Sequence, residues 1–319
     1  MKIKLASAAL TALVAAPAVQ AQAWPTQPIT MIVPFAPGGV ADTVARPVAE
    51  AMSRYLKQTV VVENKPGSGG GVGIAHVGRA APNGYTILIS LPSISSMPTA
   101  DRIIGRKPLY QLEQLVPVAR ITADPTVLTV RADSPWKTVE DLIESARKTP
   151  LSYGSSGIYG TLHMYMESFA NAAQLQTLHV PYGGAGPALI GLLGQQVDAL
   201  AASPATVKQH VDKGTLRVLA HWGSEPIDAF PTLPSLKSKG YDLEFYQWSG
   251  LFAPKGTPEP VMQKLREAAK FAAQDPQTIK TIEGSGVPIK YMDAPEFQTY
   301  WDMDAKNLNA AVERVGKVD

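Results

Sequence analysis

The segment Ile32-Val33-Pro34-Phe35-Ala36-Pro37-Gly38-Gly39-Val40-Ala41-Asp42 joins a predicted apolar strand to a predicted helix through a Pro-Gly-Gly turn. The residues before the turn predict a strand over 30–35, and the apolar spacing after it predicts a helix over Val40–Leu56. The first backbone N–H groups of a helix have no partner within the helix, and the helix dipole favours negative charge there. The turn is therefore a candidate anion-binding site.

The first 23 residues have the composition of a secretory signal peptide. Lys2 and Lys4 precede an apolar run over 5–16, and Ala21-Gln22-Ala23 supplies small residues at the cleavage positions. A membrane anchor needs about 20 apolar residues, so the leader is too short for one, and no later run is long enough. We expect cleavage after Ala23, a soluble mature chain that starts at Trp24, and localisation in the periplasm.

The composition excludes several classes of protein. The chain has 319 residues, no cysteine and a formal net charge of +2. Without cysteine there is no disulfide framework, no thiolate nucleophile and no lipidated cysteine anchor. The balanced charge, without a Lys/Arg run, argues against nucleic acid as a partner. A mature chain of this length exceeds what one compact core usually needs, so two lobes are expected.

Short β-branched apolar runs alternate with amphipathic stretches, which predicts an α/β fold with mainly parallel sheets. The predicted strands are 30–35, 59–63, 86–90, 127–131, 151–154, 176–180, 199–202 and 216–221. The predicted helices are 40–56, 138–148, 161–171, 186–194, 206–213, 258–274 and 295–314. Two stretches, 91–120 and 224–246, lack periodicity and are predicted to be irregular.

The chain is predicted to cross between the two lobes twice. The candidate crossings are Ala123-Asp124-Pro125 and the neighbourhood of Tyr246-Gln247-Trp248. With these crossings, lobe 1 comprises 24–124 and 246–319, and lobe 2 comprises 125–245. The C-terminal helices then return to lobe 1.

The Gly-rich segment 66–73 suggests a phosphate-binding loop, but its spacing does not support one. Val72, Ile74 and His76 occupy the positions where the final Gly of G-x-G-x-x-G would fall. A turn that enters a short helix is the simpler interpretation. The five histidines of the chain lack metal-ligand spacing, so neither a metal nor a cofactor is predicted.

A second anion-friendly turn, Tyr153-Gly154-Ser155-Ser156-Gly157-Ile158-Tyr159-Gly160-Thr161, lies between a predicted strand and a predicted helix. It does not match Gly-x-Ser-x-Gly, and a serine nucleophile needs a base whose position the sequence does not give. Its hydroxyl and backbone groups can instead hold an anion. Binding is therefore favoured, and an exported serine hydrolase that uses Ser155 or Ser156 with a histidine is the alternative.

A third turn, 180–188, again joins a predicted strand to a predicted helix. Taken on its own, this turn is also consistent with an ordinary βα loop that binds no ligand. Ligands of open α/β sheets, however, lie beyond the carboxyl ends of the strands, where this turn and those at 34–42 and 153–161 are expected. The three turns together therefore favour a ligand site.

Six ordered motifs carry a resemblance to a known family. They are the 32–46 segment, Val62-Glu63-Asn64-Lys65-Pro66-Gly67, Tyr153-Gly154-Ser155-Ser156-Gly157, His179-Val180-Pro181-Tyr182, 192–198 and 248–258. Over essentially the whole mature chain, the sequence resembles the periplasmic receptors of tripartite tricarboxylate transporters, also called the Bug family. The resemblance implies a class II periplasmic binding protein fold, in which two Rossmann-like lobes are joined by a two-crossing hinge.

The resemblance also implies the ligand and the partners. The ligand would be a small carboxylate, such as a di- or tricarboxylate, an acidic amino acid or an aromatic acid. The partners would be the membrane subunits of a tripartite tricarboxylate-type transporter. A signalling role, in which the liganded protein contacts a sensor's periplasmic domain, is the further alternative.

The same resemblance assigns site residues. Phe35, Pro37 and the amides around Gly38 and Gly39 would hold one carboxylate, and Asp42 would help to fix the first helix turn. The opposing wall would be formed by Ser155, Ser156, Gly157, Tyr159, Thr161, Tyr182, Gly183 and Gly184, with Ser93 and Ser203 as further candidates.

Three features depart from the family pattern. Pro47 follows Arg46 inside the predicted first helix and is expected to kink or shorten it. Tyr159 occupies a position where the family often has Gly, and is expected to narrow the pocket or stack on an aromatic ligand. The 93–112 stretch lacks the usual Asn-Pro pattern.

Overall fold

The computed structural model describes residues 24–318, which form two mixed β-sheets with ten α-helices. The strands are β1 (Ile29–Val33), β2 (Val60–Asn64), β3 (Thr86–Ser90), β4 (Leu115–Pro125), β5 (Val127–Arg131), β6 (Leu151–Ser155), β7 (Thr177–Pro181), β8 (Ala199–Ala202), β9 (Leu216–His221), β10 (Tyr246–Pro254) and β11 (Ile289–Met292). The helices are α1 (Val40–Leu56), α2 (Gly71–Gly78), α3 (Ser93–Ile103), α4 (Val139–Ala146), α5 (Thr161–Ala173), α6 (Ala185–Leu193), α7 (Pro204–Asp212), α8 (Glu259–Gln274), α9 (Pro276–Gly284) and α10 (Ala294–Val315). The predicted signal peptide lies outside the described residues.

The first sheet has the strand order β11-β4-β10-β3-β1-β2. Strand β1 lies parallel to β2 and β3, with Met31 opposite both Val62 and Ile87. Strand β10 runs antiparallel between β3 and β4, and β11 runs antiparallel to β4. The carboxyl ends of β1, β3 and β4 therefore lie at the same edge of the sheet.

The second sheet has the strand order β7-β6-β8-β5-β9. Strand β6 lies parallel to β7 and β8, whereas β5 runs antiparallel to β8 and β9. The turns that follow β6, β7 and β8 therefore lie at one edge, next to each other. Two of them are the predicted anion-friendly turns.

Strands β4 and β10 connect the two sheets. They pair antiparallel from Leu115 opposite Pro254 to Pro125 opposite Tyr246. After β4 the chain enters β5 of the second sheet, and it returns to the first sheet through β10. This gives the predicted two-lobe arrangement, with the six-stranded sheet in lobe 1, the five-stranded sheet in lobe 2, and the β4–β10 pair as the hinge. The lobe boundaries at 124/125 and 245/246 stay predictions.

Helix α1 has the bounds that its apolar spacing predicts. Its buried face consists of Ala41, Asp42, Val44, Ala45, Val48, Ala49, Ala51 and Met52. Small side chains let α1 contact α8 closely, while Val48 and Met52 each gain about 1.5–3 kcal/mol from burial. This burial, more than intrinsic propensity, stabilises the helix.

Pro47 does not shorten α1, so that part of the expectation is wrong. The helix runs through Pro47 to Leu56. Pro47 costs one backbone hydrogen bond, but Val44 and Val48 of the same helix are completely buried. The packing of this face offsets the lost hydrogen bond.

Two further expectations are wrong. The sheets are mixed rather than mainly parallel, because β10 runs antiparallel to its neighbours in the first sheet and β5 does so in the second. The 91–120 stretch is not irregular, since it holds α3 and the first half of β4. The sequence also did not indicate β10 and β11 as strands or α9 as a helix. By contrast, 224–246 lacks long elements, as predicted.

Within residues 24–318, no helix combines the length and the apolar character that a membrane crossing requires. The hydrophobic side chains of the helices pack instead in clusters around the two sheets.

Candidate functional site

The Pro-Gly-Gly turn is held by the carboxylate of Asp42, in the first turn of α1. Asp42 is 5 % exposed, and its Oδ2 accepts a hydrogen bond of 3.0 Å from the Gly38 backbone N–H. Arg46 donates from Nε to Oδ2 at 3.0 Å and from Nη2 to Oδ1 at 2.8 Å. Asn64 Nδ2 donates both to Asp42 Oδ1 and to the Phe35 carbonyl, each at 3.0 Å. Asp42 therefore ties the turn to α1 and to β2.

The charge of Asp42 follows from these contacts. Burial raises the pKa of its carboxyl, but hydrogen bonds from Arg46, the Gly38 amide and Asn64 outweigh burial and leave the pKa below its ordinary value. Asp42 is thus ionised and internally paired. Because it uses the Gly38 N–H, the donors left for a ligand are the amides from Gly39 onward, where no side chain caps α1.

The Gly-rich segment 66–73 supports this turn rather than forming a phosphate loop. Gly70 has φ +103°, and a Cβ there would lie 3.2 Å from the Phe35 ring. Gly69 has φ +62°, and a Cβ there would lie 2.6 Å from Met97 Sδ. The segment enters α2, as the simpler interpretation predicted. Its glycines allow Phe35 and Met97 of α3 to pack against the backbone.

The second turn is organised around the hydroxyl of Ser155, at the end of β6. Ser155 Oγ donates to the Gly157 carbonyl at 3.0 Å and accepts from the Gly157 N–H at 3.2 Å. It also lies 2.7 Å from His179 Nε2 on β7. The His179 ring stacks on His163 of α5 with centroids 3.7 Å apart, and His163 Nδ1 accepts from the Tyr159 N–H at 2.9 Å. A histidine was predicted here only as the base of a serine hydrolase, and the sequence did not show that His163 and His179 support the turn.

Both histidines are neutral in the folded protein. Burial, together with the neighbouring His179, lowers the pKa of His163 to about 3, and burial lowers the pKa of His179 to about 4. Stacking two imidazoles at this distance requires that they not both be charged. The pair therefore acts as a neutral support for the Ser155 turn.

The contact between Ser155 and His179 is the geometry that a serine hydrolase would need first. Within the described residues, however, no carboxylate hydrogen-bonds to His179, whose ring stacks on those of His163 and Tyr153. The Ser155 hydroxyl is itself buried and bonded within its own turn. These contacts fix the turn's shape and leave the nucleophile without the oriented base that a triad requires.

Tyr159 faces the C-terminal segment rather than an open pocket. Its side chain is 3 % exposed, its Oη donates to the Gly316 carbonyl at 3.0 Å, and it accepts from the Val318 N–H at 2.9 Å. Its own carbonyl accepts from Ser96 Oγ of α3 at 3.1 Å. Tyr159 thus links lobe 2 to lobe 1, and its hydroxyl is already occupied.

The third turn carries Tyr182, Gly183 and Gly184. The Tyr182 N–H donates to the Ser155 carbonyl at 3.0 Å, so the second and third turns are directly joined. The Tyr182 side chain packs over Gly154 and Gly191, where a Cβ would come within 3.0 Å of a ring carbon and 2.3 Å of the hydroxyl oxygen, respectively. Tyr182 is only half-buried, so part of its ring remains accessible.

The two further serines differ in their surroundings. Ser93, where α3 begins after β3, is 3 % exposed and its Oγ has no hydrogen-bond partner. Ser203, after β8, donates to Asp124 Oδ2 of the hinge at 2.6 Å. Buried hydroxyls are normally paired, so Ser93 is the more suitable of the two for contacting a ligand. Of the remaining predicted residues, Pro37 and Ser156 lie at accessible positions of their turns, and Thr161 is buried at the start of α5.

Contacts between the lobes connect the first and second turns. The chain of contacts runs from Phe35 to Gly70, from the adjacent Gly69 to Met97, and along α3 to Ser96, which reaches Tyr159. Residues 24–318 hold no cluster of three His, Asp or Glu side chains that could bind a metal ion. What the turns offer is neutral backbone and hydroxyl donors, which suit a small anion.

The two-lobed fold with its two-strand hinge defines a solute-binding protein of the periplasmic type. Residues 44–316 match the model of the family described as "Tripartite tricarboxylate transporter family receptor". The chain belongs to this family. Members are solute-binding receptors, so the protein is not an enzyme, and the alternative of a serine hydrolase is wrong.

Relatives and solved structures agree with this assignment. BugT from Bordetella pertussis is 33% identical over 279 residues, which cover 86% of this chain and 85% of BugT. A UPF0065 protein from Cupriavidus necator is 34% identical over 98% of this chain and 95% of its own length. The structure of the periplasmic binding protein BugD is similar with a TM-score of 0.83 and 30% identity, over 91% of this chain and 98% of BugD.

Two similar structures contain a ligand. MatC from Rhodopseudomonas palustris with bound malate has a TM-score of 0.82 and 25% identity, and the match covers 91% of this chain and 100% of MatC. A second R. palustris protein, with adipate, has a TM-score of 0.83 and 26% identity, over 91% of this chain and 98% of that protein.

Proposed function

We propose that this receptor captures a small carboxylate between its two lobes in the periplasm and delivers it to the membrane subunits of a tripartite tricarboxylate-type transporter. The observation that carries the proposal is the match over 91% of the chain to MatC, a protein with bound malate. The ligand-bound relatives contain dicarboxylates, so we infer that a dicarboxylate is the first ligand class to test. In this proposal, lobe 1 comprises 24–124 and 246–319, and lobe 2 comprises 125–245.

We place the ligand at the three turns. One carboxylate would lie against the amides from Gly39 onward at the start of α1, beside Phe35 and Pro37. The Ser93 hydroxyl, buried and without a partner, would donate to the same ligand. The opposing wall would be the accessible parts of the second and third turns, Ser156, Gly157, Tyr182, Gly183 and Gly184, together with the buried Thr161 at the start of α5. Ser155, Tyr159, Asp42 and Ser203 support these walls through contacts within the protein.

Neutral donors suit this task. Backbone amides at a helix start and hydroxyls can hold a carboxylate without a buried counter-ion, whose desolvation would be costly. Hinged closure over the β4–β10 pair would then exclude water from the ligand. Specificity would depend on the length and shape of the space between the turns.

The proposal is tested by calorimetric titration of the mature chain with malate, adipate, citrate, glutamate and an aromatic acid. We expect saturable binding of at least one of them, and no binding of the corresponding neutral amide. Failure of every carboxylate to bind would contradict the proposal. Uptake of the bound acid by cells should require both this protein and the membrane subunits.

A matched pair of variants tests the role of Ser93. Ser93 and Ser168 are both buried serines whose hydroxyls have no partner, but Ser168 lies within α5, outside the three turns. We expect Ser93→Ala to weaken ligand binding about tenfold, the value of one good hydrogen bond, and Ser168→Ala to leave it unchanged. Equal affinities of the two variants would remove Ser93 from the site.

A further inference from the structure

A cavity of about 690 Å³ lies on the other side of the hinge from the three turns. Its walls come from lobe 1 through Arg120, Lys290 and Tyr300, and from lobe 2 through Lys208 and Asp228. In the first sheet, β11 and β4 lie on one side of β10, whereas β3 and β1 lie on the other. None of the residues of the three turns lines this cavity, and its volume is ordinary for a small-molecule site.

The cavity contains a buried arginine with most of its donors free. Arg120 is 7 % exposed, its Nε donates to the Lys290 carbonyl at 3.0 Å, and its guanidinium carbon lies 4.7 Å from the centre of the Tyr300 ring. Throughout 24–318, no carboxylate lies within ion-pair distance of Arg120. A guanidinium has five N–H donors, and a buried one without a counter-ion is unfavourable. Glu296 and Asp304 lie near enough to interact electrostatically with Arg120 but form no ion pair with it, so its free N–H donors remain available to an anion.

Among the basic side chains of the cavity wall, Arg120 is the buried one. Asp124, also in the wall, is buried and accepts a hydrogen bond from Ser203, and burial raises the pKa of its carboxyl well above the usual range. Lys208 is paired with Asp212 on its own helix. The acidic side chains of Glu225, Asp228 and Glu283 lie at exposed positions of the wall, away from the buried arginine. The buried part of this wall thus contains one cation, Arg120, and the carboxyl group of Asp124, whose raised pKa favours its neutral form.

The rest of the wall is suited to a flat apolar body. Tyr246 and Tyr300 contribute half-buried rings, and the remaining apolar wall consists of Ala123, Pro125, Pro226, Ile227, Ala229, Val287 and Pro288. Aromatic and proline surfaces pack well against a planar ring. We propose that this hinge cavity is a second binding site, which takes a small aromatic carboxylate with its carboxylate on Arg120 and its ring against Tyr300.

Benzoate and its neutral analogue benzamide test the charge requirement. We expect benzoate to bind the wild-type protein at least about tenfold more tightly than benzamide, since only benzoate can form the charged hydrogen bonds to Arg120. Arg120→Gln should weaken benzoate binding at least about tenfold, and Arg79→Gln, the same change at an exposed arginine outside both sites, should not. No benzoate binding, or equal binding of benzamide, would overturn the proposal.

Two further variants make the result independent of folding and of the first site. Tyr300→Ala keeps the charge of Arg120 and should also weaken benzoate binding, while the circular dichroism spectrum confirms that each variant is folded. Ser93→Ala should leave benzoate binding unchanged. Loss of benzoate binding in Ser93→Ala but not in Arg120→Gln or Tyr300→Ala would place benzoate at the three turns and overturn the hinge site. Failure of the dicarboxylates to bind would contradict the proposed site at the three turns but not the proposed site in the hinge cavity.

Discussion

Asp42→Asn is the substitution that most directly tests how the first turn is held. The variant keeps the shape of the side chain but removes its charge and one of its two acceptor oxygens. Asp42 accepts partly buried hydrogen bonds from the Gly38 N–H and from Asn64. It also forms a salt bridge with Arg46, whose side chain is 55% exposed. The new amide would face these donors with N–H groups of its own.

The magnitude follows from these contacts. Each of the two partly buried hydrogen bonds contributes about 1 kcal/mol, and the Arg46 pair, because it is exposed, about 0.2–1 kcal/mol. We therefore expect Asp42→Asn to lower the free energy of unfolding by about 2–3 kcal/mol. Release of the Gly38 turn should also weaken carboxylate binding at least about tenfold, which corresponds to about 1.4 kcal/mol.

Urea denaturation and calorimetric titration measure the two effects. Asp212→Asn is the matched control, because Asp212 also forms an i,i+4 salt bridge. Its partner is Lys208, and the pair lies on an exposed helix surface. Asp212→Asn should cost about 0.5 kcal/mol or less and leave binding unchanged. The difference between wild type and Asp42→Asn should be complete above the unfolded pKa of about 3.9 and shrink as the pH falls below it, since folding lowers the pKa of Asp42. If Asp42→Asn behaves like Asp212→Asn, the turn is not held by Asp42.

Two other predictions concern stability. Gly70→Ala should lower the free energy of unfolding, measured by urea denaturation, by about 1–3 kcal/mol, because Gly70 has φ +103° and lies against the Phe35 ring. Gly186→Ala, at a position of α6 with open space around it, should raise that free energy by about 0.5–1 kcal/mol. Similar effects at both positions would contradict the close packing under Phe35. Folding lowers the pKa of His163 to about 3 and that of His179 to about 4. Below about pH 6.5, the pKa of an unfolded histidine, the unfolded chain therefore binds more protons than the folded one. The free energy of unfolding should then decrease as the pH falls from 6.5 towards 4. His179→Asn should flatten that decrease, and an unchanged slope would show that His179 is not buried as a neutral group.

Local signals predicted the parts of the fold that local contacts determine. The Pro-Gly-Gly turn and the full extent of α1 follow from short-range features, namely glycines before the helix and regular apolar spacing within it. Strands β3, β5, β8 and β9 also have the predicted bounds, because each is a continuous apolar run between turn residues.

The hinge strands could not be recognised in this way. Strand β4 contains Pro117, Arg120 and Asp124, residues that argue against a buried central strand. The structure accommodates Pro117 at a shift in register with β10, and it buries Arg120 and Asp124 at the hinge cavity and at the Ser203 contact. Such compensations come from distant parts of the chain and leave no local pattern.

The same distinction applies to the site. The three turns were predicted from their residues, but the contacts that shape them were not. His179 reaches Ser155 only because β6 and β7 are parallel neighbours, and Asn64 reaches Asp42 only because β2 lies beside β1. Helix α3 begins with Ser-Ile-Ser-Ser and contains Pro98, so its helical form depends on burial between the lobes.

The position of a bound dicarboxylate tests the central proposal most directly. A crystal structure of the mature protein with malate, or with whichever carboxylate binds best, would show it. We expect one carboxylate within about 2.7–3.2 Å of the amides from Gly39 onward and of Ser93 Oγ, with the second and third turns closed over the ligand. A dicarboxylate bound away from these three turns, for example only at Arg120 in the hinge cavity, would contradict the proposal.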